Sequence, residues 1–247
     1  MILGFSTGCL YKNIEPVSIE AINLIKSTKC NAIELCAGFK ERITQLESIS
    51  KSDLKGFEYV SLHAPDNMMY DDSSESMKIL DAIARQHQRF HFNRVVIHGN
   101  NVVSGEIFRK YNLPIAIENH DTRFGKNVEE MKDVFKRFDA DMVLDVLHSY
   151  IAAKSFSQFE KNPSRLTHEL CAAFKDEIVE VHLSGLGKHD DYQQHYPINE
   201  MKQLDILKSV PLNVPIIIES VFLKYLSQEK LLEQLAEEYA YIKKYFS

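Results

Sequence analysis

Three carboxylates and an imidazole each close a short apolar run rich in branched side chains. Glu118 ends Pro-Ile-Ala-Ile-Glu, Asp145 ends Met-Val-Leu-Asp, His182 ends Val-Glu-Val-His and Glu219 ends Pro-Ile-Ile-Ile-Glu. Runs of this kind read as buried strands. Four such groups brought to one end of one sheet would repel one another unless a cation sat among them. Oxygen-rich ligation with one nitrogen suits Mn2+, Mg2+, Co2+ or Zn2+ and does not suit Cu(I). Any one of the four alone would pass for a separately satisfied polar residue. Four in register point to a metal centre.

A second set of groups surrounds the first. His63 lies in Ser-Leu-His-Ala-Pro, His98 in Val-Ile-His-Gly-Asn, His148 three residues after Asp145, and His195 in Gln-Gln-His-Tyr-Pro. Gathered on one rim, they would hold further ions or grip the hydroxyls of a substrate. Glu34, in Asn-Ala-Ile-Glu-Leu, and Asn119, beside Glu118, join His63 and His98 as candidate substrate contacts. Asn119 also suits the task of orienting the ligand next to it. His120 and Asp121 divide between substrate contact and plain loop, and the stretch 189–191 between ligand contact and solvated loop. Lys40, Arg42, Arg123 and Lys188 are the cations placed to meet a phosphate, each more simply read as solubilising charge. His87, His91 and His168 fall in helical segments and read as structural or exposed.

The elements that must position these groups are legible from period and spacing. Run ends recur at Ser6, Glu34, His63, His98, Glu118, Asp145, His182 and Glu219. Most intervals match the roughly 30 residues of a strand-helix unit. Helical spacing fills the gaps at 18–26, 75–92, 128–138, 163–174, 201–207 and 228–246, with Ser18 placed as a cap for the first. One interval departs: His98 and Glu118 lie only 20 residues apart, which leaves 105–111 for the fourth helix. The expectation is one α/β domain over 1–247, a single (β/α)8 barrel with a shortened fourth helix and its functional groups on one rim. A doubly wound open sheet is the alternative, disfavoured by eight strands and the lack of a glycine-rich phosphate loop.

Composition bounds the rest. The 247 residues carry 29 Lys and Arg against 35 Asp and Glu, a net charge of −6 that argues against a general nucleic-acid binder. The four cysteines form no Cys-x-x-Cys pair and read as reduced thiols of a cytoplasmic protein. Met-Ile-Leu-Gly-Phe reads as a first strand rather than a signal peptide, and no stretch reaches the roughly 20 apolar residues of a membrane span.

Ile-Glu-Leu, His-Ala-Pro, His-Gly, Ile-Glu-Asn-His, Leu-Asp-x-x-His-Ser-Tyr, Val-His-Leu and Ile-Ile-Glu-Ser follow one another from the second to the eighth run. In that order they resemble the xylose-isomerase-like TIM-barrel superfamily, which holds sugar isomerases and epimerases, inosose-dehydratase-type enzymes and the AP endonuclease family typified by endonuclease IV. The resemblance implies that Glu118, Asp145, His182 and Glu219 are the metal ligands shared with the isomerase branch. The endonuclease branch binds three zinc ions, and its further ligands would be His63, His98, His148 and His195, with Glu118 bridging. This sequence departs from that branch at Gln193, where an acidic ligand is expected, and at 199–201, where Asn-Glu-Met replaces Gly-Glu-Gly.

The leading expectation is a divalent-metal-dependent isomerase or epimerase of a small polyhydroxylated substrate, with Glu118 and Glu219 as catalytic proton carriers. A zinc-dependent phosphodiesterase of the AP endonuclease kind is the second reading. A barrel that binds metal or sugar without turnover is the third. The last helix, with Leu231, Leu232, Leu235, Tyr239 and Ile242 at helical spacing, packs on the barrel or serves a homo-oligomer.

Overall fold

The computed structural model describes residues 1–120, 128–155, 158–159, 161–185, 195–198, 204–211 and 213–246. Eight strands form a closed barrel in sequence order: β1 Leu3–Ser6, β2 Ala32–Cys36, β3 Tyr59–His63, β4 Arg94–His98, β5 Ile115–Glu118, β6 Asp141–Asp145, β7 Ile178–Leu183 and β8 Ile216–Ile218. Every neighbouring pair is parallel, and β1 closes on β8 through Leu3 to Phe5. All eight run ends fall within two residues of a strand end. A (β/α)8 barrel is therefore the observed architecture.

Helices α1 Ile19–Ser27, α2 Ser74–Phe90, α3 Val128–Phe138, α4 Val146–Lys154, α5 Ser164–Ala173 and α6 Gln228–Tyr245 wrap the sheet. Ser18, Ser73 and Ser227 each accept a backbone N–H of the first turn and so start α1, α2 and α6. Two connections carry 3-10 turns in place of α-helix, Lys40–Ser48 after β2 and Gly105–Lys110 after β4, and the described residues between β7 and β8 include a third 3-10 turn, Leu204–Ser209. The fourth helix is thus a remnant, as its short interval requires. The helix expected at 201–207 is corrected within the described residues to the 3-10 turn at Leu204–Ser209, and 201–203 lie outside them.

Alternation along the strands splits the apolar residues into two bodies. Outward residues such as Phe5, Ile33, Leu62, Ile97, Ile117, Leu144, Val181 and Ile218 join the helices in one continuous core. Inward residues form two small separate clusters, Ala32–Tyr59–Ile217 and Val96–Ala116–Val143. Gly4 sits on the inward phase of β1, where a Cβ would meet the Ala32 carbonyl oxygen at 1.8 Å, so the close approach of β1 to β2 needs glycine. On β7 the register slips against β6: Met142 pairs with Ile178, yet the next residue, Val143, pairs with Glu180. The extra residue, Val179, is a bulge. It sets the phase that puts Glu180 and His182 inside, with His182 opposite Asp145.

The apolar face of α6 is covered by the barrel. Leu231, Leu235 and Ile242 are fully buried, and the Tyr239 ring lies 6.4 Å from that of Phe5. Leu232 and Tyr239 of the same face are half-buried. Among the described residues no helix is long and apolar enough to cross a membrane.

Candidate metal centre

Glu118 ends β5, Asp145 ends β6, His182 is the penultimate residue of β7, and Glu219 follows β8. Their side chains meet: one ligand atom from each lies within 4.8 Å of the others. His182 is the pivot. Its Nδ1 stands 3.2 Å from Glu118 Oε2 and 3.4 Å from Glu219 Oε1. Its Nε2 stands 3.0 Å from Glu180 Oε1 and 3.3 Å from Glu34 Oε2. Glu34, Glu118, Asp145, Glu180 and His182 are all fully buried.

The local sequence explains how the ligands are aimed. Asp145 is both the last residue of β6 and the cap of α4, accepting from the His148 N–H at 2.5 Å. The cap ends β6 at Asp145 and places His148 in the first turn of α4. Asn119 clamps the Asp145 backbone from both sides, donating to its carbonyl at 2.9 Å and accepting from its N–H at 2.8 Å. Asn119 thus frames the Asp145 backbone, in keeping with the orienting role the sequence offered it beside substrate contact.

Burial raises the Asp145 carboxyl well above the ordinary range, helped by the charges of Glu118 and Glu219. Burial works the same way on Glu118 and Glu219 but is overcome. His98 and His182 hold Glu118 well below the ordinary carboxylate value, and His182 holds Glu219 at about 2. Burial likewise disfavours the His182 imidazolium, yet the Glu219, Glu34 and Glu118 carboxylates raise it well above the usual histidine value. Both Glu118 carboxylate oxygens, Asp145 Oδ2 and His182 Nδ1 are buried without a well-formed hydrogen bond. One atom each from three carboxylates and an imidazole, within 4.8 Å of one another, fit a divalent ion once His182 Nδ1 gives up its proton.

Above these ligands a cavity of about 320 Å³ opens, lined by Ser6, Cys36, His63, His98, His120, His148, His195 and Glu219 among others. His63 Nε2 and His98 Nε2 lie 3.1 Å apart, and the His120 ring lies 4.6 Å from that of His98 and 4.3 Å from that of His148. His195 Nδ1 is 3.8 Å from Glu219 Oε2. Burial pushes His148 and His195 below the ordinary value, so both present neutral nitrogens. The four histidines expected on the rim are therefore together, and His120 joins them. Glu34 is not on the cavity wall: it lies beneath, against His182 Nε2.

Other expected contacts are elsewhere. Lys40 pairs with Glu75 at 2.6 Å and Arg42 with Glu15 at 2.6 Å. Asp121, Arg123, Lys188, the stretch 189–191, Gln193 and 199–201 lie outside the described residues. His91 and His168 are exposed on the outer shell and His87 is half-buried there. The cysteines are free thiols, as expected.

Sequence reasoning missed Glu180 and the residues that hold it. Glu180 Oε2 accepts the Tyr59 hydroxyl at 2.6 Å, and Oε1 accepts Ser61 Oγ at 3.1 Å. Together they fasten the inner edge of His182 from below. The signal was present: Glu180 precedes His182 by two residues and so shares its face.

No family model and no curated protein matches the chain. Solved structures do. The chain aligns with a D-tagatose 3-epimerase-like protein at 16% identity and TM-score 0.62, covering 100% of both chains. It aligns with endonuclease IV from Thermus thermophilus at 14% identity and TM-score 0.64, over 98% of this chain and 100% of that one. An AP endonuclease, family 2, from Brucella melitensis matches at 13% identity and TM-score 0.61, over 95% and 98%. With a closed eight-stranded barrel and end-to-end alignment of this kind, the chain shares the (β/α)8 barrel fold of these structures.

Proposed function

We propose that the protein is a divalent-metal-dependent isomerase or epimerase of a small polyhydroxylated carbonyl compound. One observation carries the reading: Glu118 and Glu219 converge on a single imidazole nitrogen, with Asp145 in the same group, beneath a cavity of monosaccharide size. An ion held by Glu118, Asp145, His182 and Glu219 would draw electron density from adjacent carbonyl and hydroxyl oxygens and so acidify the C–H between them.

The chain's own groups do the rest. Glu219 is ionised and borders the cavity, so it takes the proton from carbon, and the C–H electron pair moves toward the carbonyl. Returning the proton to the neighbouring carbon completes an isomerisation. Delivery of a proton to the opposite face of the same carbon, the role assigned to Glu118, completes an epimerisation; Glu118 first takes that proton from solvent, and Glu219 afterwards returns to solvent the one it removed. His63 and His98 present ring edges to the cavity and hold hydroxyls there. Among the described residues no Lys or Arg lines the cavity, which favours an unphosphorylated substrate.

A panel of ketoses assayed before and after chelation tests the reading. Turnover that is lost with EDTA and restored by Mn2+ or Co2+ is expected; turnover indifferent to chelation ends the proposal. The collection of imidazoles around the cavity supports a second reading, zinc-dependent phosphodiester hydrolysis. Cleavage of an abasic-site duplex, with no activity on any ketose, would favour it.

A further inference from the structure

Glu238 interrupts the buried face of α6. Leu231, Leu235 and Ile242 share that face at helical spacing, and the carboxylate is as fully buried as they are. Burying a charge is costly unless polar partners take it up, and an apolar residue of similar volume often packs at least as well. Glu238 is therefore more than packing requires. Its Oε1 accepts the Ile198 N–H at 2.7 Å and also the hydroxyl of Ser220, itself fully buried. Both donors belong to loops at the barrel mouth. Ile198 lies three residues after His195, and Ser220 follows Glu219. The two loops are also tied to each other. The Val221 N–H donates to the His195 carbonyl at 2.7 Å, and Tyr196 pairs with Gly185 just beyond β7. A Cβ on Gly185 would meet the Pro197 carbonyl oxygen at 2.3 Å, so 195–198 is held close there. This frame sets His195 Nδ1 3.8 Å from Glu219 Oε2, with both residues on the cavity wall.

We propose that Glu238 is a positioning residue: from the last helix, one of its oxygens grips both mouth loops and fixes the spacing of His195 and Glu219. Its part in catalysis rests on those two side chains working at the cavity, as in the function proposed above. Glu238 itself is not on the cavity wall and acts only through the backbone and the hydroxyl it holds. The acceptor oxygen carries the role, so an amide of the same length can replace the carboxylate and a leucine cannot.

Histidine-labelled 15N spectra of the full chain test the tie without metal or substrate. The His195 ring signals are identified by their loss in His195→Gln. In Glu238→Leu, which completes the apolar face but accepts nothing, those signals are expected to shift and broaden. The ring signals of His63 and His98, on β3 and β4, are expected to stay in place. Glu238→Gln is expected to return the His195 signals to their wild-type positions. Ser220→Ala removes one donor and leaves α6 intact, so it is expected to move them as well, and it decides the matter if Glu238→Leu does not fold. Unmoved His195 signals in either Glu238→Leu or Ser220→Ala overturn the proposal. So does a Glu238→Gln spectrum like that of Glu238→Leu, or displacement of His63 and His98 as large as that of His195. On a ketose that wild type turns over, kcat/KM of Glu238→Leu is expected to fall about 10–100-fold, with Glu238→Gln within about threefold of wild type. If wild type turns over no ketose, the function proposed above fails, and the spectra still decide the tie.

Discussion

Glu180 Oε1 accepts from His182 Nε2 at 3.0 Å, two residues away on the same face of β7. The contact keeps a proton on Nε2, so that when His182 is neutral it is Nδ1 that turns a lone pair to Glu118 and Glu219. A carboxylate behind a ligand histidine raises its basicity and holds its ring. Glu180→Gln is therefore expected to weaken binding at the carboxylate centre by about 10–100-fold. Competition with a chelator of known affinity reads the change. Unaltered affinity would show that the contact is structural only.

Asn119 makes two bonds to the Asp145 backbone and is itself fully buried. Asn119→Ala leaves a donor and an acceptor unpaired at about 1–3 kcal/mol each. A loss of about 2–4 kcal/mol in urea unfolding is expected, together with weaker metal binding, since Asp145 loses its frame. A purely substrate-binding Asn119 would instead raise KM and leave unfolding unchanged.

Metal uptake should strengthen with pH. The carboxylates of Glu219, Glu34 and Glu118 overcome burial to keep a proton on His182 above the ordinary histidine range. Ligation through Nδ1 must expel that proton, so affinity rises by up to about tenfold per pH unit until the raised value is passed and the proton is gone. In the metal-free protein the same proton contributes stability that is full below the unfolded value and fades as pH rises through the raised one. Metal therefore raises Tm more at about pH 8 than at about pH 6. Melting curves at the two values, with and without zinc, check the sign.

Gly4 leaves no room for a side chain in the barrel wall. A Cβ there would strike the Ala32 carbonyl and push β1 from β2. Gly4→Val is expected to cost about 3 kcal/mol or more, because backbone rather than a flexible side chain must yield. Denaturant midpoints for wild type and variant measure it.

The strands were legible because parallel barrel strands are buried on both faces and read as continuous branched runs. The four proposed ligands were legible as a set because each ends such a run. α4 was not, for a related reason. Val146, Leu147, Ser149, Tyr150, Ala152 and Ala153 are buried on nearly every side, so the segment carries no amphipathic period. Glu180 was hidden inside Val-Glu-Val-His, where one acidic residue among valines passes for a strand-edge charge unless its phase is counted back from His182. His120 shares the loop end of β5 with two more obvious residues, and only the packing of three rings sets it apart.

The slip between β6 and β7 has a larger meaning for how such a lumen acquires its charge. A ladder running in step from Met142 and Ile178 would bring Val181 opposite Asp145 and turn the imidazole out among the helices. The amino-acid content would be unchanged, yet the bore would be oily. Because Val179 absorbs the offset, the floor and the mouth of β7 are phased independently. Excising Val179 should thus spare the bore, whereas excising Val181, above the slip, should silence the chemistry more thoroughly than most substitutions.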